Sequence, residues 1–232
     1  MKIGIISDIH GNYDALFSVL QKAKKESVDH LLILGDIVGY YYHPDKILNL
    51  LSHWSFDMIR GNHERILEDL IEDSALSESI RLKYGSGHQE AINKLTQKQL
   101  NYLFDLPETK ALKIDELSLL MCHGSPWSNG FYIYPDSSSE ILNKCDIKSF
   151  NFVLIGHSHH SFAIVNANSI LLNPGSVGQS RQTGGKASWC ILNTNNSCFQ
   201  FFSTDYSIEN LLKEVSDKDP GIKYLSDILK RK

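Results

Sequence analysis

The chain opens on a short apolar run, KIGII at 2–6, whose length and β-branched content predict a buried strand. Asn12 follows as an N-cap, and Tyr13, Leu16, Phe17, Leu20 and Ala23 recur behind it at helical spacing. LLIL at 31–34 reads as a second buried strand. Pro44 stands at the favoured first position of a helix carrying Ile47, Leu48 and Leu51, and FDMIR at 56–60 gives a third strand. From Glu64 to Leu106 the pattern is mostly helical, with Thr96 and Gln99 spaced as a capping box. Beyond Pro107 the grammar changes, and strands are predicted at 117–122, 151–155, 161–165, 169–172, 187–192 and 197–203. Turn residues at 166–168 (NAN) and 193–196 (NTNN) separate neighbouring runs. Two amphipathic segments, near 207–215 and 221–230, close the chain.

A strand–helix first half and a hairpin-rich second half predict an α/β fold of two packed sheets with helices outside. No internal repeat or linker interrupts the 232 residues, which read as one domain. The helical stretch at 64–106 is expected to cap one edge.

The residues that end the apolar runs are alike. The first run delivers Asp8 and His10, the second Asp36, the third Asn62, His63 and Glu64, the fourth His123, and the fifth His157 and His159. Open α/β sheets gather side chains at the carboxyl ends of their strands, so these residues are candidates for one site. Of the ten histidines, six (His10, His63, His123, His157, His159 and His160) fall in such turns. The other four, His30, His43, His53 and His88, read most simply as surface or helix residues, and Glu64 as an acid at a helix start.

Carboxylate, imidazole and one amide, without thiolates in metal spacing, favour Mn²⁺, Fe or Zn²⁺ over a structural zinc knot, with Ni²⁺ and Co²⁺ also open. Seven candidates exceed the needs of one tetrahedral ion and suit two ions sharing a carboxylate. Two divalent ions outweigh the charges of Asp8 and Asp36, so such a site attracts phosphate.

Composition narrows the setting. Net charge is −4 and no long basic run appears, which argues against an extended nucleic-acid surface. The opening apolar stretch is too short for a signal-peptide core, and no run spans a membrane. Cys122, Cys145, Cys190 and Cys198 lack CxxC spacing; Cys190 and Cys198 could face each other across a hairpin, but reduced thiols and a cytoplasmic location are the expectation.

Taken together, Asp8-x-His10, Gly35-Asp36, Gly61-Asn62-His63, His123 and Gly156-His157-x-His159 resemble the motifs of the calcineurin-like metallophosphoesterase superfamily. NPGSVGQSR at 173–181 resembles a segment that follows the last metal histidine in many bacterial members, and GDIVGY looks like a branch of small stand-alone bacterial phosphoesterases. The resemblance implies a β-sandwich of two mixed sheets flanked by helices in four layers. It implies that Asp8, His10, Asp36 and His159 hold one metal, and that Asn62, His123, His157 and the same Asp36 hold the other. A hydroxide bridging the two ions would attack the phosphorus in line, with His63 as general acid to the leaving oxygen. His160 matches no ligand position.

Arg60 and Arg181 are candidate phosphate clamps, because a guanidinium meets phosphate oxygens bidentately. Tyr40, Tyr41 and Tyr42, and the loop carrying Trp127, Phe131, Tyr132 and Tyr134, could line the rim and stack a nucleobase. The sequence lacks the Asp-Arg-Gly that follows Gly-Asp in the protein phosphatase branch. The expected activity is therefore phosphodiester hydrolysis on a small phosphoester, with dinucleoside polyphosphates or other nucleotides as the alternative substrates. A phosphomonoesterase, or a protein-binding scaffold like the retromer subunit of this fold, ranks lower, since His63 and all seven ligand positions are present.

Overall fold

The structure, a computed structural model, describes residues 1–232. In chain order the strands are β1 (Lys2–Ile6), β2 (His30–Ile33), β3 (Phe56–Met58), β4 (Thr109–Ile114), β5 (Leu117–Cys122), β6 (Phe152–Leu154), β7 (Ser161–Val165), β8 (Ile170–Pro174), β9 (Lys186–Asn193) and β10 (Cys198–Asp205). The helices are α1 (Tyr13–Lys25), α2 (Pro44–Leu51), α3 (Asn62–Glu72), α4 (Ser77–Tyr84), α5 (Gly87–Lys94), α6 (Gln97–Phe104), α7 (Ser139–Lys144), α8 (Glu209–Lys218) and α9 (Lys223–Leu229).

Two five-stranded mixed sheets form, ordered β10-β9-β1-β2-β3 and β4-β5-β6-β8-β7. Side chains alternate across each strand, and the two faces find different partners. Ile3, Ile5, Leu32 and Leu34 of the first sheet meet Leu119, Met121, Leu154 and Leu172 of the second in the inter-sheet core. On the opposite face, Ile6, Leu31 and Ile33 pack under Leu16, Val19 and Leu20 of α1 and Ile47 of α2. Val153, Ile155 and Leu171 face outward from the second sheet beneath Ile133 and Cys145, with Ile141 of α7 packed alongside. Alternation thus produces the expected sandwich with helices outside.

Of the helical segment expected as a cap, α3, α5 and α6 contribute Leu67, Ala91, Leu100 and Leu103 to the core shared with α1. In contrast, α4 buries no side chain fully and ends at Tyr84, beside the strand-end cluster. No helix is long and apolar enough to cross a membrane.

Two elements escape the sequence pattern. β4 pairs antiparallel with β5 from Thr109↔Cys122 to Ile114↔Leu117, as an edge strand whose alternate residues are exposed. Its turn, Asp115–Glu116, lacks the Gly or Asn that marks a hairpin, although Asp115 takes a φ of 51°. The other is α7, six residues long.

The β9–β10 hairpin forms, but its register sets Cys190 opposite Phe201 and Cys198 opposite Asn193, so the two thiols do not face each other. All four cysteines are free.

Candidate metal centre

β1 runs parallel to β2 and β5 parallel to β6, and their carboxyl ends come to one edge of the sandwich. There the chain leaves the strands in unusual conformations. Asp8, His10, Asp36, His157 and His159 all have φ between 51° and 63°, the left-handed region that such side chains seldom enter. Each such residue costs of order 1 kcal/mol or more, so the surroundings must hold it there. Backbone hydrogen bonds between loops do so: Asp8 N donates to Gly35 O, His10 N to Asp36 O, Gly178 N to Asp8 O and Gly156 N to His123 O.

Each carboxylate uses one oxygen as a strut and aims the other inward. Asp8 Oδ2 accepts from His157 N at 3.0 Å, and Asp36 Oδ1 accepts from His63 N at 2.8 Å. Asp8 Oδ1 is fully buried and has no hydrogen-bond partner. Asp36 Oδ2 lies 3.2 Å from His123 Nε2 and 3.8 Å from His10 Nε2.

The histidines are oriented from behind. His10 Nδ1 donates to Val38 O, His123 Nδ1 to Leu34 O and His159 Nδ1 to Gln179 O, at 3.1, 2.6 and 2.8 Å. A carbonyl can only accept, so these Nδ1 atoms carry protons. His10 Nε2 and His159 Nε2 then present lone pairs to each other across 3.1 Å. With both rings neutral that contact is repulsive, and a cation beside both nitrogens would relieve it. His157 is turned the other way, with Nε2 near Gly130 O at 3.2 Å, leaving Nδ1 for the site.

Spacing supports the same reading. Ligands about 2.1 Å from a common ion lie roughly 3.0–3.4 Å apart. His159 Nε2 is 3.2 Å from Asp8 Oδ1, and Asn62 Oδ1 is 3.0 Å from His123 Nε2. Three overlapping groups, Asp8–His10–His159, His10–Asp36–His63 and Asp36–His123–His157, each keep their donor atoms within 4.8 Å of one another. All seven sequence-predicted ligands are therefore brought together, with Asp36 in two of the groups. An orphaned carboxylate oxygen, facing lone pairs and this donor set fit divalent cations.

The protonation of the protein's own groups is close to what ligation needs. Burial pushes His10 and His157 down to about 4, so both are neutral at pH 7. Burial works against ionisation of Asp8 and Asp36, yet the adjacent histidines, His159 foremost for Asp8 and His123 for Asp36, hold both below the ordinary carboxylate range. His123 is the exception. Burial disfavours its charge, but Asp36 and then Asp8 overcome it and raise the ring to about 10. His123 must lose that proton to ligate, so cation binding at pH 7.5 is expected to release about one proton per chain. Affinity should then rise with pH through neutrality. Calorimetry in buffers of different ionisation enthalpy reads the released proton directly, and a value near zero contradicts the account.

Around this cluster the sequence expectations meet mixed outcomes. His63 is buried, between the ring of Tyr40 at 4.9 Å and that of Tyr84 at 4.8 Å. Gly39 leaves room for it, since a Cβ there would collide with the His63 ring. Glu64 does start α3 but is wholly buried. Its carboxylate accepts from the backbone N–H groups of Gly61, Asp36 and Ile37 at 2.8–2.9 Å, which fixes the two loops against each other.

Arg60 is engaged by Glu68 and by Phe104 O, an arrangement that occupies its guanidinium without a phosphate. Arg181 lies over the ring of Tyr132, 5.7 Å from its centre. His160 contacts Ser158 O rather than the cluster.

The tyrosine run divides. Tyr40 reaches the site, but Tyr41 and Tyr42 are wholly buried under α8 and α9, correcting their expected place on the rim. Of the 127–134 loop, Tyr132 stacks on His157 at 3.9 Å, whereas Trp127 packs on Phe131.

Among the four remaining histidines, His53 is exposed, His30 meets Asp57 and His43 meets Glu214. His88 departs from expectation. It lies in α5 yet is fully buried, with Nε2 3.1 Å from His63 Nδ1. No local pattern ties it to His63 across 25 residues, and only its place near a helix start in GSGHQEA marks it.

Comparison with known proteins agrees with this geometry. An uncharacterised protein of Methanocaldococcus jannaschii is 27% identical over 234 residues, covering 92% of this chain and 91% of that one. The crystal structure of a hypothetical protein from Pyrococcus horikoshii OT3 superposes with a TM-score of 0.86 at 19% identity, covering 99% and 98% of the two chains. A metallophosphoesterase structure from Sphaerobacter thermophilus gives 0.76 at 23% identity, covering 98% of each. These two show a shared fold. The profile of the calcineurin-like phosphoesterase superfamily domain matches residues 1–197, from β1 through all seven clustered candidate ligands to the turn before β10. The chain belongs to the calcineurin-like phosphoesterase superfamily.

Proposed function

We propose that the protein is a dinuclear metal-dependent phosphodiesterase, of the small stand-alone type that its motifs resemble. The observation that carries this reading is the buried Asp/His cluster with an unpartnered Asp8 oxygen and two facing imidazole lone pairs, beside a further histidine. Asp8, His10, Asp36 and His159 would hold one divalent cation, and Asn62, His123, His157 and Asp36 the other. Mn²⁺ suits the nitrogen and oxygen donors, as do Fe, Zn²⁺, Ni²⁺ and Co²⁺. Such ions, when bound, supply positive charge for the phosphoryl oxygens and acidify water for attack.

The chain's own residues do the rest. The struts from His157 N and His63 N keep both carboxylates in place, so little reorganisation is needed when substrate arrives. His63 Nδ1 is taken up by His88, which leaves Nε2 to meet a leaving oxygen and deliver a proton to it. Arg181 is the guanidinium available to a substrate phosphate, since Arg60 is already engaged.

His88 is then a positioning residue for His63. His88→Ala is expected to lower kcat by about 10–100-fold with little change in KM, the usual range for a group that orients another. His88→Gln, which can keep one hydrogen bond, should recover part of the loss. Equal loss in both variants, with KM rising in step, would indicate a packing role only.

The test of the reaction class is the ratio of kcat/KM for bis(4-nitrophenyl) phosphate over 4-nitrophenyl phosphate in the Mn²⁺-loaded protein. A ratio well above one supports a diesterase, and one well below supports a monoesterase. Full metal occupancy without turnover of either would favour the scaffold reading.

A further inference from the structure

Against the cluster lies a second recess that none of the ligand residues forms. It has a volume of about 390 Å³, and Tyr40, Tyr84, Tyr132 and Tyr224 line it together with Lys83 and Arg181. Arg231 completes the wall, and no carboxylate takes part. On a chain of net charge −4, this is a local cationic basin walled by aromatic rings.

Its residues come from five separate parts of the chain, so its composition is not the by-product of one amphipathic element. Several contacts hold it in shape. Tyr40 meets Tyr84 edge to face at 5.4 Å and Tyr224 at 6.2 Å. Tyr224 OH donates to Gln179 Oε1 at 3.1 Å. Arg231 Nη1 donates to Arg181 O at 2.6 Å, tying the C-terminal end to the loop that carries Arg181. Lys83 Nζ lies 4.8 Å from the Tyr84 ring centre. Tyr132 and Tyr224 remain 43% and 38% exposed, so ring surface is free to be covered.

The recess also joins the reactive cluster at a defined side. Tyr40 and Tyr84 flank His63 at 4.9 and 4.8 Å, and Tyr132 stacks on His157. A leaving group that takes its proton from His63 must therefore project among these tyrosines.

We propose that this recess binds the leaving half of the substrate, and that this half is a nucleotide: an aromatic base for the tyrosine rings and a further phosphate for Arg181 and Lys83. The proposal rests on the phosphodiesterase reading and adds the substrate class. In the reaction, the P–O bond to the nucleotide breaks, the water oxygen bonds to phosphorus, and one water-derived proton ends on the departing oxygen by way of His63. Base stacking supplies affinity for any of the bases, because each has a π face. Guanidinium and ammonium supply the anion preference.

The test is calorimetric titration of the full chain, as purified, with adenosine 5′-monophosphate, adenosine and ribose 5-phosphate. Adenosine 5′-monophosphate should bind at least about tenfold more tightly than either fragment. Tyr224→Ala should remove most of that advantage over ribose 5-phosphate, and Tyr224→Phe, which keeps the ring, should retain it. Equal affinity for adenosine 5′-monophosphate and ribose 5-phosphate overturns the aromatic half of the proposal. Equal affinity for adenosine and its monophosphate overturns the anionic half. Neither readout depends on turnover, so failure here is distinct from failure to hydrolyse a diester.

Discussion

Asp36→Asn is expected to lower phosphodiesterase kcat/KM by on the order of 10³-fold or more, ~4 kcal/mol of transition-state stabilisation. It should also remove at least one cation per chain. The substitution is chosen because it spares the fold. Asn can still accept from His63 N through Oδ1, as Asp36 does at 2.8 Å. What changes is the other atom. The oxygen 3.2 Å from His123 Nε2 and 3.8 Å from His10 Nε2 becomes an amide nitrogen, which donates and cannot ligate. Asp36 shares one donor group with His10 and another with His123 and His157, so under the proposed assignment both cation positions lose a partner at once. Circular dichroism should be unchanged, and the rise in Tm on adding Mn²⁺ should shrink, since only ligand that binds the native state stabilises it. A variant that keeps two ions and most of its activity contradicts the shared role of Asp36.

His63→Ala separates proton delivery from cation binding. It should keep both ions while kcat falls by about 10²–10⁴-fold, the usual contribution of a positioned acid. The leaving group supplies an internal control. Loss should be smallest for 4-nitrophenolate, which departs without a proton, and largest for an alkyl alkoxide, which needs one. Geometry makes the metal count essential, because His63 sits within 4.8 Å of His10 and Asp36 donor atoms and could reach a cation. Loss of an ion together with the side chain would reassign His63 as a ligand.

The strand ends were legible in the sequence because burial there is abrupt. KIGII and LLIL are apolar on both faces, as strands between two packed layers must be, and the residues that follow have nowhere to turn but the sheet edge. Asp8, His10, Asp36 and the histidines beyond β5 and β6 therefore stand out by position as well as by chemistry. β4 did not stand out, since Lys110 and Lys113 interrupt a strand whose inner face offers only Leu112 and Ile114 to the core. Its pairing with β5 supplies what its own pattern lacks.

The surroundings of the cluster were harder to read for a different reason. His88, Tyr84 and Tyr224 reach the site from α5, α4 and α9 respectively, where each looks like an ordinary helix residue. Only packing shows that Tyr41 and Tyr42 turn away under the C-terminal helices while their neighbour Tyr40, at φ 55°, turns inward. Local pattern determines which face of an element is apolar, but it carries no information about which distant helix end arrives there. The left-handed φ angles at five candidate ligands are likewise tertiary in origin, held by hydrogen bonds between loops far apart in sequence.

The central claim is that two cations act together in this cluster. The most direct measurement is the rate of bis(4-nitrophenyl) phosphate hydrolysis as Mn²⁺ is added stepwise to chelator-stripped protein. The account predicts a rate that climbs to a break at two equivalents per chain. A break at one equivalent, or no hydrolysis at any loading, would contradict it.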